Sequence, residues 1–287
     1  METRLSSAKK EVIIGDKRPT VIIGERINPT GKPKLAAALQ AGDLEIVRQE
    51  AINQVKAGAD ILDVNVGTAT VDEVALLPRA VKAVMDVVDA PLCIDSANEK
   101  ALEAAIKVYK GKALLSSVTG QEASLKMMLP LVKEYKTAVV GLTMDNAGIP
   151  TDSSKRVAIA YKIINEAAKL GIPKEDIIID CLAMTVGADN RAGLATIEAI
   201  MKVKAELGVN QTLGASNVSF GLPERGLINT TFLAIVIAAG VTCPIVDAAK
   251  VLATIRTTDL LLGRDQYAMR YIEAFRQRQK QQEPKKA

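Results

Sequence analysis

Eight short apolar runs recur along the chain, separated by longer segments in which apolar residues return every three or four positions. The runs occupy residues 21–28, 61–67, 91–96, 113–119, 138–145, 177–184, 213–219 and 243–247. The longer segments include residues 44–57, 71–88, 98–109, 124–136, 155–170 and 193–207. Short apolar runs that alternate with a period near 3.6 are typical of strands joined by helices. This alternation predicts a parallel sheet, because parallel neighbours need a connection of a dozen or more residues.

The number of units favours an α/β fold of the (β/α)8 TIM-barrel type, which has eight units in about 250 residues. A doubly wound open sheet is the competing fold, and it would normally carry a Gly-x-Gly-x-x-Gly turn after the first strand. Residues 24–34, GERINPTGKPK, lack that spacing. We predict one barrel domain over residues 21–265, preceded by an N-terminal segment (1–20) and followed by a C-terminal helix and basic tail (266–287).

Histidine is absent from all 287 residues. Its absence excludes Ser-His-Asp and Cys-His triads, His-ligated zinc or iron sites, and imidazole as a general base. An enzyme with this sequence must use carboxylates, amides, hydroxyls, Lys, Arg or a cofactor. The hydrophobic fraction of 48% suits a globular chain with a large core.

Charge and cysteine content predict the setting in which the chain works. There are 37 Lys and Arg against 33 Asp and Glu, and the net charge of +4 is not typical of nucleic-acid binding. Cys93, Cys181 and Cys243 are far apart in apolar runs, as expected of reduced core thiols. The N-terminus has no apolar segment of signal-peptide length, and no run approaches 18 apolar residues. We expect a soluble cytoplasmic protein with neither a nucleic acid nor a membrane as partner.

Polar side chains stand at the carboxyl end of nearly every predicted strand. They are Glu25, Asn28, Asp63, Asn65, Asp95, Ser96, Ser116, Thr143, Asp145, Asp180, Ser216, Asn217 and Asp247. Carboxyl ends of barrel strands meet at one mouth. One such residue alone often caps a helix, and residues 95–98 (DSAN) form a good capping sequence. Burying so many polar groups together is costly unless they bind something, so the set as a whole predicts a ligand site.

The chemistry of these groups favours a flat heteroaromatic ligand, because a carboxylate can accept two parallel N–H bonds from an amino-pyrimidine. A phosphate site would need Gly-rich amides and basic residues near the last two strands, which Asn217 and Arg225 only partly provide. No spacing is diagnostic of a metal site. No predicted strand carries a lysine for Schiff-base chemistry. We predict a site without a metal.

Seven stretches of the chain form a set. They read IIGERINPTGK (22–32), AGADILDVNVGTA (57–69), LCIDSAN (92–98), VVGLTMDNAGIPTDSSKR (139–156), IIIDCL (177–182), LGASNVSFGLPERGLINTTFLA (213–234) and PIVDA (244–248). In this order they resemble the pterin-binding methyltransferases, specifically the methyltetrahydrofolate:corrinoid-protein methyltransferases. That group includes the enzyme serving the corrinoid iron–sulfur protein of acetogens and related enzymes of glycine-betaine and O-demethylase systems. The resemblance covers most of the chain.

The resemblance implies roles for individual residues. Asp95 and Asp180 fall on the family positions that hold the pterin ring. Asn217 falls on the family asparagine that bonds near N5 of the folate, and it is the residue to which the resemblance gives a catalytic role. Arg225 matches a further position of the family's site.

The sequence departs from the family pattern at two positions. Ser116 stands where the family has an asparagine at the end of the fourth strand, so water or Asn98 is expected to complete that contact with the substrate. Phe220 stands where the acetogen enzyme has a polar residue. We expect this part of the site to differ from that enzyme.

The implied reaction moves a methyl group between N5 of tetrahydrofolate and the cobalt of a corrinoid, in a direction that the sequence does not determine. Asn217 would stabilise the charge at N5 without titrating, a role often contributing about 10²–10³ in rate. The corrinoid (cobalamin) is expected on a separate partner protein, since the chain has no second domain to hold it. The family also suggests a homodimer.

Two other functions remain open. Dihydropteroate synthase also binds a pterin in a barrel, but its first loop has an Asn-x-Thr-Pro-Asp-Ser-Phe pattern, and this chain reads RINPTGKPK there. A non-catalytic pterin-binding subunit would bind tetrahydrofolate without transferring a methyl group.

Overall fold

The computed structural model describes residues 1–282, and its strands form a two-stranded and an eight-stranded sheet. The strands are β1 (Glu2–Ser6), β2 (Glu11–Gly15), β3 (Ile23–Ile27), β4 (Ile61–Val64), β5 (Leu92–Asp95), β6 (Leu114–Thr119), β7 (Ala138–Leu142), β8 (Ile177–Asp180), β9 (Gln211–Thr212) and β10 (Ile245–Val246). The eight strands β3 to β10 are parallel, and β10 pairs with β3. A bridge between Gly214 and Ile245 joins the remaining edges and closes the circle. The predicted TIM barrel is confirmed.

Helices surround this barrel on its outer side. They are α1 (Pro33–Gln40), α2 (Glu45–Lys56), α3 (Glu73–Met85), α4 (Glu99–Val108), α5 (Glu122–Tyr135), α6 (Ser153–Lys169), α7 (Ala192–Glu206), α8 (Arg225–Ala239), α9 (Ala248–Leu261) and α10 (Met269–Gln282). Their apolar faces pack on the outward side chains of the strands in one buried cluster. The short α1, which begins with a proline and buries Leu35 and Leu39, was not among the predicted helices. None of the helices within residues 1–282 is long and apolar enough to cross a membrane.

The amino end of the barrel is closed by a hairpin of β1 and β2, which pair antiparallel. Leu5 and Ile14 of this hairpin are 0% exposed and share a buried cluster with inward-facing strand residues such as Ile23 and Cys93. Asn210, just before β9, donates through Nδ2 to the carbonyl oxygen of Ile14 at 3.1 Å. The segment 1–20 is therefore largely a lid over the barrel's amino end.

The seventh barrel strand was predicted at 213–219, and this placement was wrong. The strand is Gln211–Thr212, and residues 215–219 form a 3-10 helix. The strand was missed because its two residues are polar, so the sequence shows no apolar run there. Their side chains are buried with internal hydrogen bonds. Gln211 donates through Nε2 to the carbonyl oxygen of Ile200 at 3.0 Å, and Thr212 donates through Oγ1 to that of Cys243 at 2.7 Å.

The other barrel strands lie within the predicted runs, but several end earlier, at Val64, Leu142 and Asp180. Their polar ends continue as loops. At the end of the chain, α10 lies inside the predicted helix-and-tail segment, and residues 283–287 of that segment lie outside the described residues.

Candidate active site

The strand ends β5 and β8 each place one carboxylate at the mouth of the barrel. Asp95 is the last residue of β5 and shares inward parity with the buried Cys93. Asp180 is the last residue of β8 and shares parity with the inward-facing Ile178. On β5 and on β8, a step of two residues toward the carboxyl end therefore changes the inward-facing side chain from apolar to acidic.

Asp180 is buried at 6% exposure and accepts a 2.6 Å hydrogen bond at Oδ1 from the backbone N–H of Leu182. Burial raises the pKa of Asp180 to about 6, against the backbone N–H groups of Leu182 and Gly214 and the charge of Arg156, which all favour the carboxylate. No basic residue within residues 1–282 forms an ion pair with it. The carboxylate therefore keeps acceptor capacity for a ligand.

Asp95 accepts at Oδ2 a 2.9 Å hydrogen bond from the side-chain amide of Asn65. Burial raises the pKa of Asp95, while hydrogen bonds from Asn65 and Ser116 work in the opposite direction. Ser116 is paired with Asp95 in the β5–β6 register. Ser116 thus stands beside Asp95 at the mouth of the barrel.

A third carboxylate, Asp63 on β4, lies next to Cys93 in the sheet register and deeper than Asp95. Burial, and then the nearby Asp95, raise the pKa of Asp63 well above its usual range. Both effects favour the protonated form of Asp63. Asp63 was among the polar strand ends in the sequence but had no role of its own.

Asn217 and Arg225 lie on the segment that follows β9. Asn217 is exposed within the 3-10 helix 215–219. Arg225 begins α8 and holds that 3-10 helix: Nη2 donates to the carbonyl oxygen of Ser216 at 2.9 Å, and Nε to Oγ of Ser219 at 3.0 Å. The guanidinium carbon also lies 5.8 Å from the centre of the Phe220 ring, which is 69% exposed. Arg225 and Phe220 together shape the segment that presents Asn217.

Asn98 has a structural role in the described chain. It is the N-cap of α4 and accepts at Oδ1 from the backbone N–H of Lys100 at 3.1 Å and of Ala101 at 3.4 Å. Its carbonyl oxygen is committed to the helix, which leaves its amide N–H₂ as the group able to reach a ligand. The capping alternative that the sequence left open for residues 95–98 is thus present at Asn98.

Strand β3 and the loop after it contribute two charged groups, Glu25 and Lys32, to which sequence reasoning gave no individual role. Lys32 donates through Nζ to the carbonyl oxygens of Asn28 at 3.0 Å and Glu25 at 3.3 Å. Burial lowers the pKa of Lys32 and raises that of Glu25. Glu25 could be found from its place at a strand end, whereas Lys32 lies in the following loop, where sequence pattern gives no direction to its side chain.

The site's chemistry is that of hydrogen-bond recognition. Asp95 and Asp180 are acceptors without a cation partner in residues 1–282, which suits N–H groups of a neutral heterocycle. No group of three or more Cys, Asp or Glu side chains among the described residues is arranged to hold a metal ion. A separate recess of about 410 Å³ lies between the amino ends of α6 and α7, and its lining includes Arg156 but neither of these carboxylates.

Comparison with known proteins gives relatives over nearly the whole chain. The model of the pterin binding enzyme family matches residues 24–247. The methylcorrinoid:tetrahydrofolate methyltransferase of Eubacterium limosum is 34% identical over 264 residues, which cover 90% of this chain and 96% of that protein. The methionine synthase of Mycobacterium leprae is 31% identical over 264 residues, which cover 88% of this chain but only 22% of that protein.

Solved structures give the same fold at lower identity. Dihydropteroate synthase of Xanthomonas albilineans matches with a TM-score of 0.66 and 19% identity, covering 91% of this chain and 99% of that one. The DHPS of Yersinia pestis matches with a TM-score of 0.69 and 13% identity, covering 92% and 100%. At these identities the likeness shows the fold alone.

Proposed function

Because the chain belongs to the pterin binding enzyme family, we propose that it is a methyltransferase that moves a methyl group between N5 of tetrahydrofolate and the cobalt of a corrinoid protein. The observation that carries this proposal is the match to the Eubacterium limosum enzyme, which spans both chains almost from end to end. The resemblance read from the sequence is thereby confirmed at the level of the family. The dihydropteroate synthase alternative has only the shared fold in its favour.

Asp95 and Asp180 bind the pterin in this proposal. Asp180 is buried and Asp95 is half-buried, and each is a carboxylate at a strand end with no ion-pair partner among residues 1–282, so each can accept N–H bonds from the amino-pyrimidine edge. Ser116, next to Asp95, and the amide N–H₂ of Asn98 complete this side of the site. Arg225 supports the site from the other side through its bonds to the 3-10 helix.

Asn217 is the catalytic residue of the proposal. When the methyl group leaves, the C–N5 bond breaks, its electron pair stays on N5, and N5 takes up a proton. The amide N–H₂ of Asn217 can donate to N5 as that charge develops, and it does so without titrating. The corrinoid, when bound, supplies the cobalt that accepts or gives the methyl group. A chain without histidine can perform its part because positioning and hydrogen bonding are all that its residues contribute.

The partner and assembly follow the same proposal. The corrinoid reaches the open mouth of the barrel on a separate protein. A homodimer would cover exposed apolar side chains of the late helices, among them Leu227 at 67% exposure and Ile235 at 44%. The three cysteines are free and buried, as expected for work in the reducing cytoplasm.

An Asn217→Ala variant tests the catalytic assignment. We expect the rate of methyl transfer from 5-methyltetrahydrofolate to cob(I)alamin to fall about 10²–10³-fold, because the developing charge at N5 loses its donor. The Kd of the folate should change much less. Asn53→Ala, an exposed asparagine on α2, is the matched control and should keep the parental rate. An Asn217→Ala enzyme that binds folate normally and transfers at full rate would remove Asn217 from the mechanism.

The dihydropteroate alternative has its own test. Incubation of the protein with a dihydropterin pyrophosphate and para-aminobenzoate should yield no dihydropteroate. A non-catalytic subunit would instead bind tetrahydrofolate and leave methyl transfer at the background rate.

A further inference from the structure

Arg156 on α6 is a buried arginine that hydrogen-bonds backbone oxygens of two loops and one side chain of α7. It is 1% exposed. Its Nε donates to the carbonyl oxygen of Pro150 at 2.7 Å. Its Nη1 donates to the carbonyl oxygens of Cys181 at 2.8 Å and Leu182 at 2.9 Å, and to Oγ1 of Thr196 at 3.1 Å. A guanidinium suits this task because its donors form a rigid fork, which a lysine lacks.

The two carbonyls flank a peptide N–H that reaches the candidate active site. Leu182 has φ 61°, a left-handed conformation that residues with a branched side chain rarely adopt. In that conformation its N–H donates to Oδ1 of Asp180 at 2.6 Å. Something must hold this loop in its unfavourable conformation, and Arg156 bonds the carbonyl on each side of the Leu182 N–H.

Charge points to the same pairing. No carboxylate in the described part of the chain lies within ion-pair distance of Arg156, although a buried cation is costly without compensation. Burial lowers the pKa of Arg156, and the nearby carboxylate of Asp180 works in the opposite direction and favours the charged guanidinium. Arg156 in turn favours the ionised form of Asp180. The guanidinium of Arg156 therefore attracts the carboxylate of Asp180 and also hydrogen-bonds the loop that follows Asp180.

A purely architectural role would account for only part of these contacts. The bonds to Pro150 and to Thr196 on α7 would hold α6 against α7 without reference to the site. The bonds to Cys181 and Leu182 hold the loop after β8, and Thr196 of α7 joins them there by donating through Oγ1 to the carbonyl oxygen of Leu182 at 3.1 Å. Contact between α6 and α7 does not by itself explain why these bonds converge on the residues that present the Leu182 N–H to Asp180.

We propose that Arg156 is the positioning residue for Asp180: it fixes the loop 181–182 so that the Leu182 N–H orients the carboxylate that accepts N–H bonds from the pterin. This inference rests on the proposed function, in which Asp180 binds the pterin ring. Arg156 itself does not touch the substrate.

The test measures the Kd of 5-methyltetrahydrofolate from pH 5 to 8 for the parent, Arg156→Gln, Asp180→Asn and the double variant. Arg156→Gln should weaken binding about tenfold or more at pH 7, because a misplaced binding group loses most of its contribution. The midpoint of its pH profile should lie above that of the parent, since the pKa of Asp180 rises when the guanidinium charge is lost. In the double variant the loss should equal that of Asp180→Asn alone, because Arg156 acts through Asp180.

Controls separate this effect from simple loss of a buried arginine. Arg256→Gln removes another buried arginine, 8% exposed on α9, and should leave the folate Kd and its pH profile at parental values. If Arg156→Gln does not fold, Arg156→Lys carries the test. It keeps the charge but not the fork, so its pH midpoint should stay near the parental one while the Kd rises.

The inference is overturned if a folded Arg156→Gln or Arg156→Lys protein binds folate with the parental Kd and pH profile, or if the two substitutions are additive in the double variant. A different set of results would contradict the proposed function on which this inference rests. In that case the parent does not bind 5-methyltetrahydrofolate, or Asp180→Asn binds it as tightly as the parent does.

Discussion

The two ends of this barrel are built from the same strands and differ in what those strands turn inward. At the amino end, residues such as Ile23 and Cys93 meet Leu5 and Ile14 of the hairpin in a dry apolar cluster. At the carboxyl end, two residues further along β5, Asp95 is half-buried, and desolvation raises its pKa. The step of two residues keeps the side chains inward and changes their chemistry. Burial therefore stabilises the fold at one end, whereas at the other it disfavours the ionised carboxylates that ligand binding requires.

The two ends of the barrel therefore make opposite contributions to the free energy of folding. Apolar burial contributes roughly 25 cal/mol per Å² to stability, so the hairpin end is where the fold gains. Buried carboxylates without cation partners oppose folding, and they persist because a ligand can supply the missing hydrogen-bond donors. A substitution at one end should consequently move a different quantity from a substitution at the other.

The largest expected effect is at the carboxyl end. Asp95→Asn keeps the shape of the side chain but removes the carboxylate that accepts two N–H bonds, so kcat/KM for methyl transfer should fall about 10²–10³-fold, or roughly 3–4 kcal/mol. The free energy of unfolding should stay the same or rise, because a buried charge is lost. Steady-state kinetics and urea unfolding measure the two quantities. An Asp95→Asn variant that loses stability but keeps its activity would show that this end serves the fold and not the reaction.

The next effect is at the amino end. Leu5→Ala opens a cavity beneath the barrel and should lower the free energy of unfolding by about 2–4 kcal/mol. At a temperature where the variant is folded, kcat and the folate KM should match the parent. Leu261→Ala, the same substitution at a side chain that is 80% exposed, serves as control and should change neither quantity. A large loss of kcat in folded Leu5→Ala would show that the two ends are not independent.

The smallest effect is the pH dependence that the buried carboxylates impose on stability. The pKa of Asp180 is about 6 in the folded protein, against an ordinary value near 4. The folded state therefore holds this proton more tightly than the unfolded state, and Asp180 makes the free energy of unfolding fall as pH rises from about 4 to 6. One proton contributes at most about 1.4 kcal/mol per pH unit.

Asp180→Asn isolates that contribution. Unfolding curves of parent and variant should differ in slope between about pH 4 and 6 and run parallel above pH 7. Folate affinity of the parent has the opposite dependence, because binding needs the ionised carboxylate. Parallel curves throughout would mean that Asp180 is not desolvated in the free protein.

The sequence was sufficient for the fold and for the position of Asp95 and Asp180 at the strand ends, because both depend on regular features. Alternating runs count the strands, and the last polar residue of a parallel strand must lie at the mouth. The prediction from sequence was wrong at β9, because this strand consists of the polar residues Gln211 and Thr212 and therefore shows no apolar run. Both side chains form hydrogen bonds inside the protein. Strand ends were also placed too late at Val64, Leu142 and Asp180, where the predicted runs continue as loops.

The remaining features depend on side-chain direction, which no spacing encodes. Asn98 reads equally as a cap or as a ligand contact, and its bonds to α4 become visible only in the structure. Arg156 sits in a helical segment among lysines and serines, where an arginine ordinarily faces solvent, yet it is buried and bonded to a loop 25 residues away. Lys32 lies in a loop with no periodicity at all. Such residues are found from packing alone.

The central claim is methyl transfer at the carboxyl end, and the most direct measurement is the absorbance of cobalamin. Cob(I)alamin is mixed with 5-methyltetrahydrofolate with and without the protein, and the reverse reaction starts from methylcobalamin and tetrahydrofolate. We predict that the protein accelerates the conversion of cob(I)alamin to methylcobalamin, or its reverse, and that Asp95→Asn largely abolishes the acceleration. Equal rates with and without a folded, folate-binding protein would contradict the account.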